Sequence, residues 1–447
     1  MCTPGARAHE HKSWYLVTVG CFRNMSTNFS ASLGRRATYG DDYFLTVDDR
    51  ARHIYAIGRT GTGKTTLLRS LALQDIYAGR GVCVIDPHGD NAQLLADSIP
   101  RDRVNDTIYF DAGDRDHVIA FNPLEHNGTA DDAELVASEI VTMFKALFRD
   151  SWGEWLEYLL KNTILTVLAQ KNEPVSLVSI QRVLEDDDYR GRMVDRLDDP
   201  VLRSFWERFF LRLRERDELD RISSTLNKVG KFALSPVLRN ILGQARSGFS
   251  VRRAMDSHQI IIVNLSKGRI GADNANFLGS AILSKLVSTA LRRSALPEVE
   301  RVPFFINIDE FQNFTSDEFT TIVSEARKYA LSLTIAHQNF DQINPHVVGQ
   351  IIKDAGTLIA FKVGFEDNER LASAFVPVNP NELSSTSDGS FWARIGAREP
   401  HLIRGYAPDE LDSFRTHSLA RVVKNTRWRF SRPRAVVERD FRRWYSS

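Results

Sequence analysis

Short, continuous apolar runs recur along the chain and alternate with longer segments of helical periodicity. Runs of this length, separated by helices, are typical of a parallel sheet that is covered on both faces. The pattern therefore predicts an α/β fold with a mainly parallel sheet. The predicted strands are His53–Ile57, Val82–Asp86, Thr107–Asp111, Gln259–Leu265, Pro303–Asp309, Ser332–Ala336 and Thr357–Val363.

Residues 131–250 depart from this alternation and carry helical patterns alone. An apolar stripe at i, i+3, i+4 spacing is followed by helical patterns over Pro200–Arg214 and Ile222–Gly243. We therefore predict an all-helical insertion at 131–250. The stripe consists of Leu156, Leu159, Leu160, Ile164, Val167 and Leu168.

A hairpin is predicted near the end of the α/β region. The segment Ser384–Arg404 contains Asp388-Gly389 between two short β-like runs. An Asp-Gly pair between such runs is a strong hairpin signal, because it accepts the positive φ of a tight turn.

A glycine-rich segment joins the predicted strand at His53–Ile57 to a predicted helix at Lys64–Tyr77. Such a segment is a phosphate-binding loop, because its backbone N–H groups can point at a β-phosphate at the start of a helix. Lys64 is expected to reach the β- and γ-phosphates, and the Thr65 hydroxyl is expected to bind Mg²⁺. The loop is Gly58-Arg59-Thr60-Gly61-Thr62-Gly63-Lys64-Thr65-Thr66.

The second half of a nucleotide site is predicted where the strand Pro303–Asp309 ends in two adjacent acids. Asp309 and Glu310 lie at the carboxyl end of this strand, where α/β sheets place ligands. We expect Asp309 to hold Mg²⁺ through water and Glu310 to polarise the attacking water of a phosphoryl transfer.

The segment Asp86-Pro87-His88-Gly89-Asp90 closes another predicted strand at the same edge and has two interpretations. In the structural one, Pro87 ends the strand, Gly89 supplies a positive φ and Asp90 caps the next helix. In the functional one, Asp86 or His88 faces the γ-phosphate or a neighbouring subunit. The spacing does not choose between them.

Composition indicates a globular protein of two or three structural units, with 447 residues and 43% hydrophobic content. Its apolar stretches are about half or less of the roughly 18 residues that a membrane-spanning helix needs. Three cysteines do not suggest a disulfide framework, and a cytoplasmic location fits best. The segment before Met25 is either an extension with a misassigned start or an arm that packs on a neighbour.

Charge is unevenly distributed although the net charge is only +1. Residues 421–447 hold nine Arg or Lys and two acids, so this tail is near +7 and the remainder near −6. Any DNA contact must therefore be local, through a loop, a pore or the tail.

Several motifs, in order along the chain, resemble those of the HerA/FtsK superfamily of ring-forming DNA motors. Within it the chain is most similar to type IV secretion coupling proteins of the TraG/TraD kind and to soluble HerA-like translocases. These motifs are the Gly58–Thr66 loop, Asp86–Asp90, Asn122-Pro123-Leu124, Asp309-Glu310-Phe311 and Ser324-Glu325-Ala326-Arg327-Lys328-Tyr329.

The resemblance implies a RecA-like P-loop ATPase that forms a homo-hexamer, with ATP between subunits and DNA in a central channel. By position, Gln338 matches the polar sensor of the superfamily, and Arg327 matches the arginine that reaches the next subunit's site. The alternatives are a polar strand end for Gln338 and, for Arg327, a helix-surface ion pair with Glu325 or Asp317. The expected domains are an N-terminal arm (1–33), the ATPase core (34–130 and 251–412), the helical insertion (131–250) and a basic aromatic tail (413–447).

DNA-binding candidates are Lys267 and Arg269, in the predicted loop Ser266–Gly271 after a buried strand. A solvated turn is the alternative. The tail places aromatic residues among its arginines, which suits a brace on an adjacent subunit, stacking on bases, or a solvated segment. Membrane-bound coupling proteins carry transmembrane helices, and no such segment is found in this sequence, which favours a soluble relative or one that a partner recruits to the membrane.

The leading hypothesis is a motor that uses ATP hydrolysis to translocate DNA, with a relaxase, secretion channel or nuclease as partner. The alternative is a HerA-like ring that serves as a regulatory or assembly platform for a nuclease in DNA processing or defence. A small kinase or GTPase is disfavoured, because the separation of Lys64 and Glu310 is unlike small kinases and no Asn-Lys-x-Asp stretch occurs.

Overall fold

The computed structural model of the chain describes residues 29–171, 173–210, 219–314 and 323–446. Residues 1–28 of the predicted N-terminal arm lie outside this range, as does part of the predicted helix Pro200–Arg214. The chain divides into two compact units. Unit 1 draws on Met1–Phe110, Arg252–Asn264 and Thr289–Asn425, and unit 2 on Asp111–Val251, Leu265–Ser288 and Thr426–Ser447.

The strands of the described residues are β1 (Phe29–Arg36), β2 (Asp42–Thr46), β3 (Ile54–Ile57), β4 (Gly81–Asp86), β5 (Thr107–Asp111), β6 (His117–Ile119), β7 (Ile260–Asn264), β8 (Phe304–Ile308), β9 (Leu331–His337), β10 (Thr357–Ala360), β11 (Ser390–Ile395), β12 (His401–Arg404) and β13 (Ser431–Pro433).

The α-helices are α1 (Val47–Ala51), α2 (Lys64–Tyr77), α3 (Asp90–Asp97), α4 (Ala130–Leu147), α5 (Glu154–Leu168), α6 (Leu177–Glu185), α7 (Asp187–Asp195), α8 (Pro200–Ser204), α9 (Leu219–Leu234), α10 (Pro236–Leu242), α11 (Val251–Asp256), α12 (Lys267–Ile270), α13 (Ala272–Leu291), α14 (Pro345–Asp354), α15 (Phe365–Ala372), α16 (Pro380–Ser384), α17 (Pro408–Asp412), α18 (Leu419–Phe430) and α19 (Arg434–Tyr445). Phe205–Phe210 is π-helical, and short 3₁₀ segments include Phe311–Asn313 and Ala326–Tyr329.

Eleven of the described strands form one sheet in the order β2-β1-β12-β11-β10-β3-β9-β8-β4-β7-β5. The segment β10-β3-β9-β8-β4-β7 is parallel, and β11, β12, β1 and β2 extend it with antiparallel pairs. The predicted mainly parallel sheet is confirmed, and every predicted strand is present within three residues of its expected ends. Residues 29–33, which the sequence analysis assigned to an arm, belong to strand β1.

Helix α2 is buried along most of its length against this sheet, which explains why its apolar residues surround the helix instead of forming one stripe. Leu68 and Leu71 share a core cluster with Ile54 of β3. Leu73 and Ile76, near the other end of the helix, share a second cluster with residues of β4 and β7. The helix that follows the phosphate loop is thereby fixed at both ends.

Unit 2 contains helices α4 to α10, and aromatic rings connect several of them. Phe232 of α9 stacks on Phe277 of α13 with ring centroids 3.7 Å apart, and Phe144 of α4 meets both rings edge-on.

None of the helices in the described residues is both long enough and apolar enough to cross a bilayer.

The C-terminal tail is divided between the units: Phe414 and Val422 belong to a core cluster of unit 1, and the part from Thr426 onward packs within unit 2. Strand β13 pairs with β6, and Arg182 Nη1 of α6 donates a hydrogen bond to the Trp444 carbonyl at 2.7 Å. The Arg182 guanidinium also lies 4.3 Å from the Tyr189 ring centre, and Arg239 covers the Phe441 ring. The aromatic residues of α19 that could brace a neighbour or stack on bases are therefore engaged within this chain, whereas Trp428 of α18 is 83% exposed.

The predicted hairpin is present, but the position of its turn was wrong. Strands β11 and β12 are antiparallel neighbours, and the chain reverses between them at residues 396–400, where Gly396 has φ 55°. Gly389 precedes β11 and uses its φ of 77° to approach the phosphate loop, where its N–H donates to the Thr62 carbonyl at 3.0 Å. The Asp-Gly pair correctly predicted a positive φ, but at Gly389 this conformation serves a contact between distant segments instead of a tight turn.

A buried ion network ties α1 to α2 in unit 1. Arg50, on α1, donates to the Asp75 carboxylate of α2 at 2.6 Å, and Arg80 donates to the same carboxylate at 3.1 Å. The Arg50 guanidinium lies 4.7 Å from the Phe305 ring centre of β8. Because Arg50 and Asp75 are both fully buried, neither charge can be satisfied by water if its partner is removed.

We expect Asp75→Asn to lower the free energy of unfolding by about 3 kcal/mol, because it keeps the size of the side chain but leaves the buried Arg50 charge uncompensated. Urea unfolding followed by circular dichroism measures the change. Asp102→Asn, at an exposed aspartate of the same unit, is the control and should stay within about 0.5 kcal/mol. Equal stability of the two variants would show that the network contributes little.

Candidate nucleotide-binding site

The phosphate loop leaves strand β3 and ends where α2 begins. The N–H of Gly58 donates to the His337 carbonyl of β9 at 3.3 Å, and the N–H of Arg59 donates to the Lys362 carbonyl at 2.9 Å. Gly63, with φ 115°, is the N-cap of α2 and has no side chain to bind the first N–H groups of the helix. The N-terminus of a 14-residue helix therefore faces the concave side of the loop, an arrangement suited to a phosphate.

Close packing explains why glycine is required at Gly58. A Cβ placed on this residue would lie 2.5 Å from the Phe361 Cβ atom, far inside van der Waals contact. Gly63 is more weakly constrained by the same ring and by Gly389. The loop is thus held between β9 and the segment after β10, with no room for a side chain at its first position.

Lys64 folds back onto its own loop. Its ammonium donates to the carbonyls of Gly58 at 2.6 Å and Arg59 at 3.0 Å. Burial lowers the pKa of Lys64, and the nearby carboxylates of Asp309 and Glu310 act in the opposite direction. The ammonium is therefore held beside the loop, in a position where an anion would replace the carbonyls as its partner.

Thr65 and Asp309, which are far apart in sequence, meet at this edge of the sheet. The Thr65 hydroxyl donates to Asp309 Oδ2 at 2.6 Å, and the N–H of Glu310 donates to Asp309 Oδ1 at 2.9 Å. Burial raises the pKa of the Asp309 carboxyl; the Thr65 hydrogen bond lowers it, and the carboxylates of Glu310 and Asp86 raise it further. The two predicted Mg²⁺ ligands are thus in contact, beside further negative charge that a cation would offset.

Glu310 has a left-handed backbone, with φ 50° and ψ 48°. Its carboxylate accepts hydrogen bonds from Gln338 Nε2 at 2.9 and 3.1 Å and from Gln312 Nε2 at 2.5 Å. A left-handed conformation is costly for a residue with a side chain and is concentrated at functional sites. The structure therefore brings together Glu310 and Gln338, the predicted base and sensor.

Asp86 performs a structural task at the end of β4. Its carboxylate accepts from the N–H of His88 at 2.9 Å and from the N–H of Ala92 at 2.8 Å. The structural interpretation had placed the cap on Asp90, but the N-cap of α3 is Gly89 and the capping oxygen comes from Asp86. His88 is exposed at the same edge, so its predicted role toward a γ-phosphate or a neighbour stays a prediction.

Arg327 lies away from these contacts. It lies in the 3₁₀ segment Ala326–Tyr329 and donates to Asp48 Oδ1 at 3.2 Å, with both side chains exposed. The structure pairs it with Asp48 of α1, not with the predicted surface partner Glu325; the other predicted partner, Asp317, lies outside the described residues. An exposed ion pair of this kind contributes about 0–1 kcal/mol, so it can exchange for another partner.

The predicted DNA loop contains one helical turn, α12, instead of an extended loop. Arg269 in this turn pairs with Asp111, at 3.0 Å to Oδ2, and also donates to the Gly113 carbonyl. Arg269 and Asp111 are separated by much of unit 2 in sequence, so no local pattern indicated this pair. Arg269, one of the two cations that were expected to face DNA, is thus paired within its own unit.

A family model described as the central domain of the helicase HerA matches residues 36–285, which is more than half of the chain. The chain belongs to this family. The predicted membership of the HerA/FtsK superfamily is thereby confirmed. No curated protein sequence matches the chain.

Solved structures share the fold of this HerA-family chain. The plasmid coupling protein TrwB in complex with a non-hydrolysable ATP analogue has 19% sequence identity and a TM-score of 0.64, with 87% of this chain and 92% of that chain covered. TrwB in complex with ADP and Mg²⁺ has 17% identity and a TM-score of 0.64, over 87% and 91% of the two chains. VirB4 of Thermoanaerobacter pseudethanolicus has 14% identity and a TM-score of 0.59, over 87% and 100%. These likenesses confirm the predicted RecA-like P-loop fold.

Sequence reasoning missed three residues of this HerA-family site. Gln312 contacts Glu310, Phe361 packs against Gly58, and Gly389 binds the Thr62 carbonyl. Gln312 could have been found, because it lies two residues after Glu310 and carries a polar amide beside an acidic pair. Phe361 lies in the predicted strand Thr357–Val363 and Gly389 in the predicted hairpin, but neither pattern indicated a contact with the phosphate loop.

We expect Gly58→Ala to lower the free energy of unfolding by about 2 kcal/mol, because the new methyl group would overlap Phe361 and force the loop to shift. Gly349→Ala is the control: Gly349 lies in α14 with nothing within 4 Å of an added Cβ, so alanine should stabilise by about 0.5–1 kcal/mol. Urea unfolding of both variants gives the two values. A Gly58→Ala variant that is at least as stable as the wild-type protein would contradict the close packing at Gly58.

Proposed function

We propose that this HerA-family chain is a Mg²⁺-dependent ATPase that moves DNA as a ring of subunits, expected to be a homo-hexamer. The observation that carries the proposal is the contact between Thr65 and Asp309 at 2.6 Å, which joins the phosphate loop to the Asp-Glu pair. Two similar structures add support: TrwB is described in complex with an ATP analogue, and with ADP and Mg²⁺.

The residues present fit a nucleoside triphosphate with Mg²⁺. Gly61, with φ 83°, and Gly63, with φ 115°, permit the backbone turn in which successive N–H groups point inward at a phosphate. Thr65 and Asp309 would hold the Mg²⁺, whose positive charge stabilises phosphate oxygens when it is bound. The described residues contain no cluster of three or more acidic, His or Cys side chains that could hold a metal, which suits an ion that takes its remaining ligands from phosphate and water.

Glu310 is the residue placed to activate water in this proposal. Its carboxylate lies beside Asp309 and is held by amide donors, so it can accept a hydrogen bond from the attacking water. Gln338 at the end of β9 reaches the same carboxylate and would orient it or the water. Lys64, held by weakly competing carbonyls, would bind the phosphates.

Arg327 is proposed to act on the site of an adjacent subunit. It is exposed, its ion pair with Asp48 is also exposed, and the structure shows it in contact with none of Lys64, Asp309 or Glu310. A cation that reaches a site in trans can stabilise the charge of the transition state. The bond to Asp48 would open when the neighbour is present.

DNA is the proposed substrate of the motor, with contacts near Lys267 and Arg269. Because Arg269 pairs with Asp111, a contact through this residue requires that the pair open. The competing function is a nucleotide-controlled platform for a partner nuclease, in which hydrolysis does not respond to DNA. A relaxase or secretion channel would be the partner of the motor.

We expect the purified protein to hydrolyse ATP in the presence of Mg²⁺. Hydrolysis should stop when EDTA removes the metal, and its rate should rise when DNA is added. Glu310→Gln should reduce kcat by about 100-fold or more, since it removes the group that accepts the proton. Steady-state phosphate release with single-stranded, double-stranded or no DNA measures these rates. Replacing ATP with GTP tests whether the site distinguishes adenine from guanine. Exposed Glu298→Gln is the control.

Three results of that assay separate the alternatives. Activity that Glu310→Gln leaves intact would remove the ATPase assignment. Activity that is lost in Glu310→Gln but indifferent to both forms of DNA would favour the platform. Stimulation that disappears at high salt would support contact with DNA phosphates, because such binding weakens as counterions compete.

We expect Arg327→Ala to reduce kcat by about 10³-fold if the arginine acts in trans. Mixing Arg327→Ala subunits with Lys64→Ala subunits should restore part of the activity, because some interfaces then combine an intact Lys64 site with an intact Arg327. Arg370→Ala, at another exposed arginine that pairs with an aspartate, should remain active. Loss of activity without any recovery on mixing would contradict a role in trans.

A further inference from the structure

Hydrogen bonds with Asp309 and with Asn313 hold the backbone of Glu310 on both sides of the residue. The N–H of Glu310 donates to Asp309 Oδ1 at 2.9 Å. Its carbonyl accepts from the N–H of Asn313 at 3.0 Å and from Asn313 Nδ2 at 2.7 Å. These bonds compensate for the left-handed backbone of Glu310 and fix the direction in which its side chain leaves the sheet.

The carboxylate of Glu310 is then held from two directions. Gln338 approaches from the end of β9, and Gln312 approaches from the 3₁₀ turn that follows Glu310 itself. Two donors on different elements restrict rotation of the carboxylate, which one donor would permit. The amide orientation of Gln312 is fixed by chemistry, because a carboxylate accepts hydrogen bonds and must meet the NH₂ group.

The other end of the Gln312 amide supports a role beyond packing. Gln312 Oε1 is buried and has no hydrogen-bond partner in the described part of the chain. A buried acceptor without a partner costs free energy, so within the described residues the hydrogen bonding of this amide is directed at Glu310 alone.

We propose that Gln312 is a positioning residue for Glu310 in the ATP hydrolysis suggested above. The inference rests on that proposed function, and it assigns a residue that lies outside the phosphate loop, the Asp-Glu pair and the sensor strand. Gln312 acts through Glu310: it holds the carboxylate, with Gln338, in the orientation needed to accept a proton from water. It makes no contact with the phosphate loop, so nucleotide binding does not depend on it.

The test compares kcat, KM and nucleotide affinity for Gln312→Ala with those of the wild-type protein. We expect kcat to fall by about 10–100-fold, because small displacements of a catalytic group reduce the rate strongly. KM for ATP and the Kd of a fluorescent ATP analogue should stay within about twofold. Gln312→Glu keeps the size of the side chain but replaces the donor with a like charge, so it should lose at least as much.

A double-variant cycle distinguishes positioning from a general structural effect. In the Glu310→Gln background, Gln312→Ala should cause no further loss, since the group that it holds is already absent. An equal loss in both backgrounds would overturn the proposal, as would a kcat within twofold of wild type for Gln312→Ala. A raised KM with unchanged kcat would overturn it too, because that result describes nucleotide binding.

Controls separate this inference from the function on which it rests. Gln93→Ala, at an exposed glutamine of α3 in the same unit, should leave all constants unchanged, and retained binding of the fluorescent analogue shows that Gln312→Ala is folded. A wild-type protein without ATP hydrolysis would overturn the proposed function and the inference together. Hydrolysis that requires Glu310 but not Gln312 would overturn the inference alone.

Discussion

The position of strand β9 between β3 and β8 is the constraint on which the site depends. The sheet order β3-β9-β8 brings three strand ends to one edge: the phosphate loop after β3, Gln338 after β9 and the Asp-Glu pair after β8. The loop is bonded to β9 through the Gly58 N–H, and Gln338 reaches across to Glu310. A parallel sheet in any other order would separate these groups, whatever their sequence motifs.

This edge has a cost in stability, which the rest of unit 1 offsets. Lys64 and Asp309 are buried with shifted pKa values, and Glu310 has a left-handed backbone. Each of these features disfavours the folded state on its own. Two features of unit 1 stabilise the folded state in return. The two ends of helix α2 belong to different core clusters, and strands β4 and β8 are buried throughout. The apolar runs that predicted the strands thus also supply the stability that a polar site at the strand ends requires.

The parts of the structure that the sequence predicted are those governed by local pattern. Strands appear as apolar runs, and the phosphate loop is recognisable because its backbone geometry needs glycine at fixed spacing. The turn at Asp388-Gly389 was misplaced because a positive φ can serve a tight turn or a distant contact, and the sequence does not say which. The pair Arg269–Asp111 was not foreseen, since it depends on which segments meet in space, whereas Gln312 lies two residues after Glu310 and was within reach of local pattern.

The net charge of the tail follows from the sequence, but the partner of each charged side chain is known only from the structure. The sequence suggests a tail of high positive charge, but in unit 2 Arg427 pairs with Asp114 at 2.8 Å, Arg434 pairs with Glu438 at 2.7 Å, and Arg432 pairs with Asp440. A field at a surface depends on charges that lack a nearby counter-charge, because paired charges largely cancel beyond a Debye length of about 8 Å. Glu438 and Asp440 are the tail's own acids and are already counted in its charge near +7, so of these three pairs only the one with Asp114 lowers that charge further, by about one. The tail thus keeps most of its positive charge, and a DNA path along it would use the cations that lie outside these three pairs.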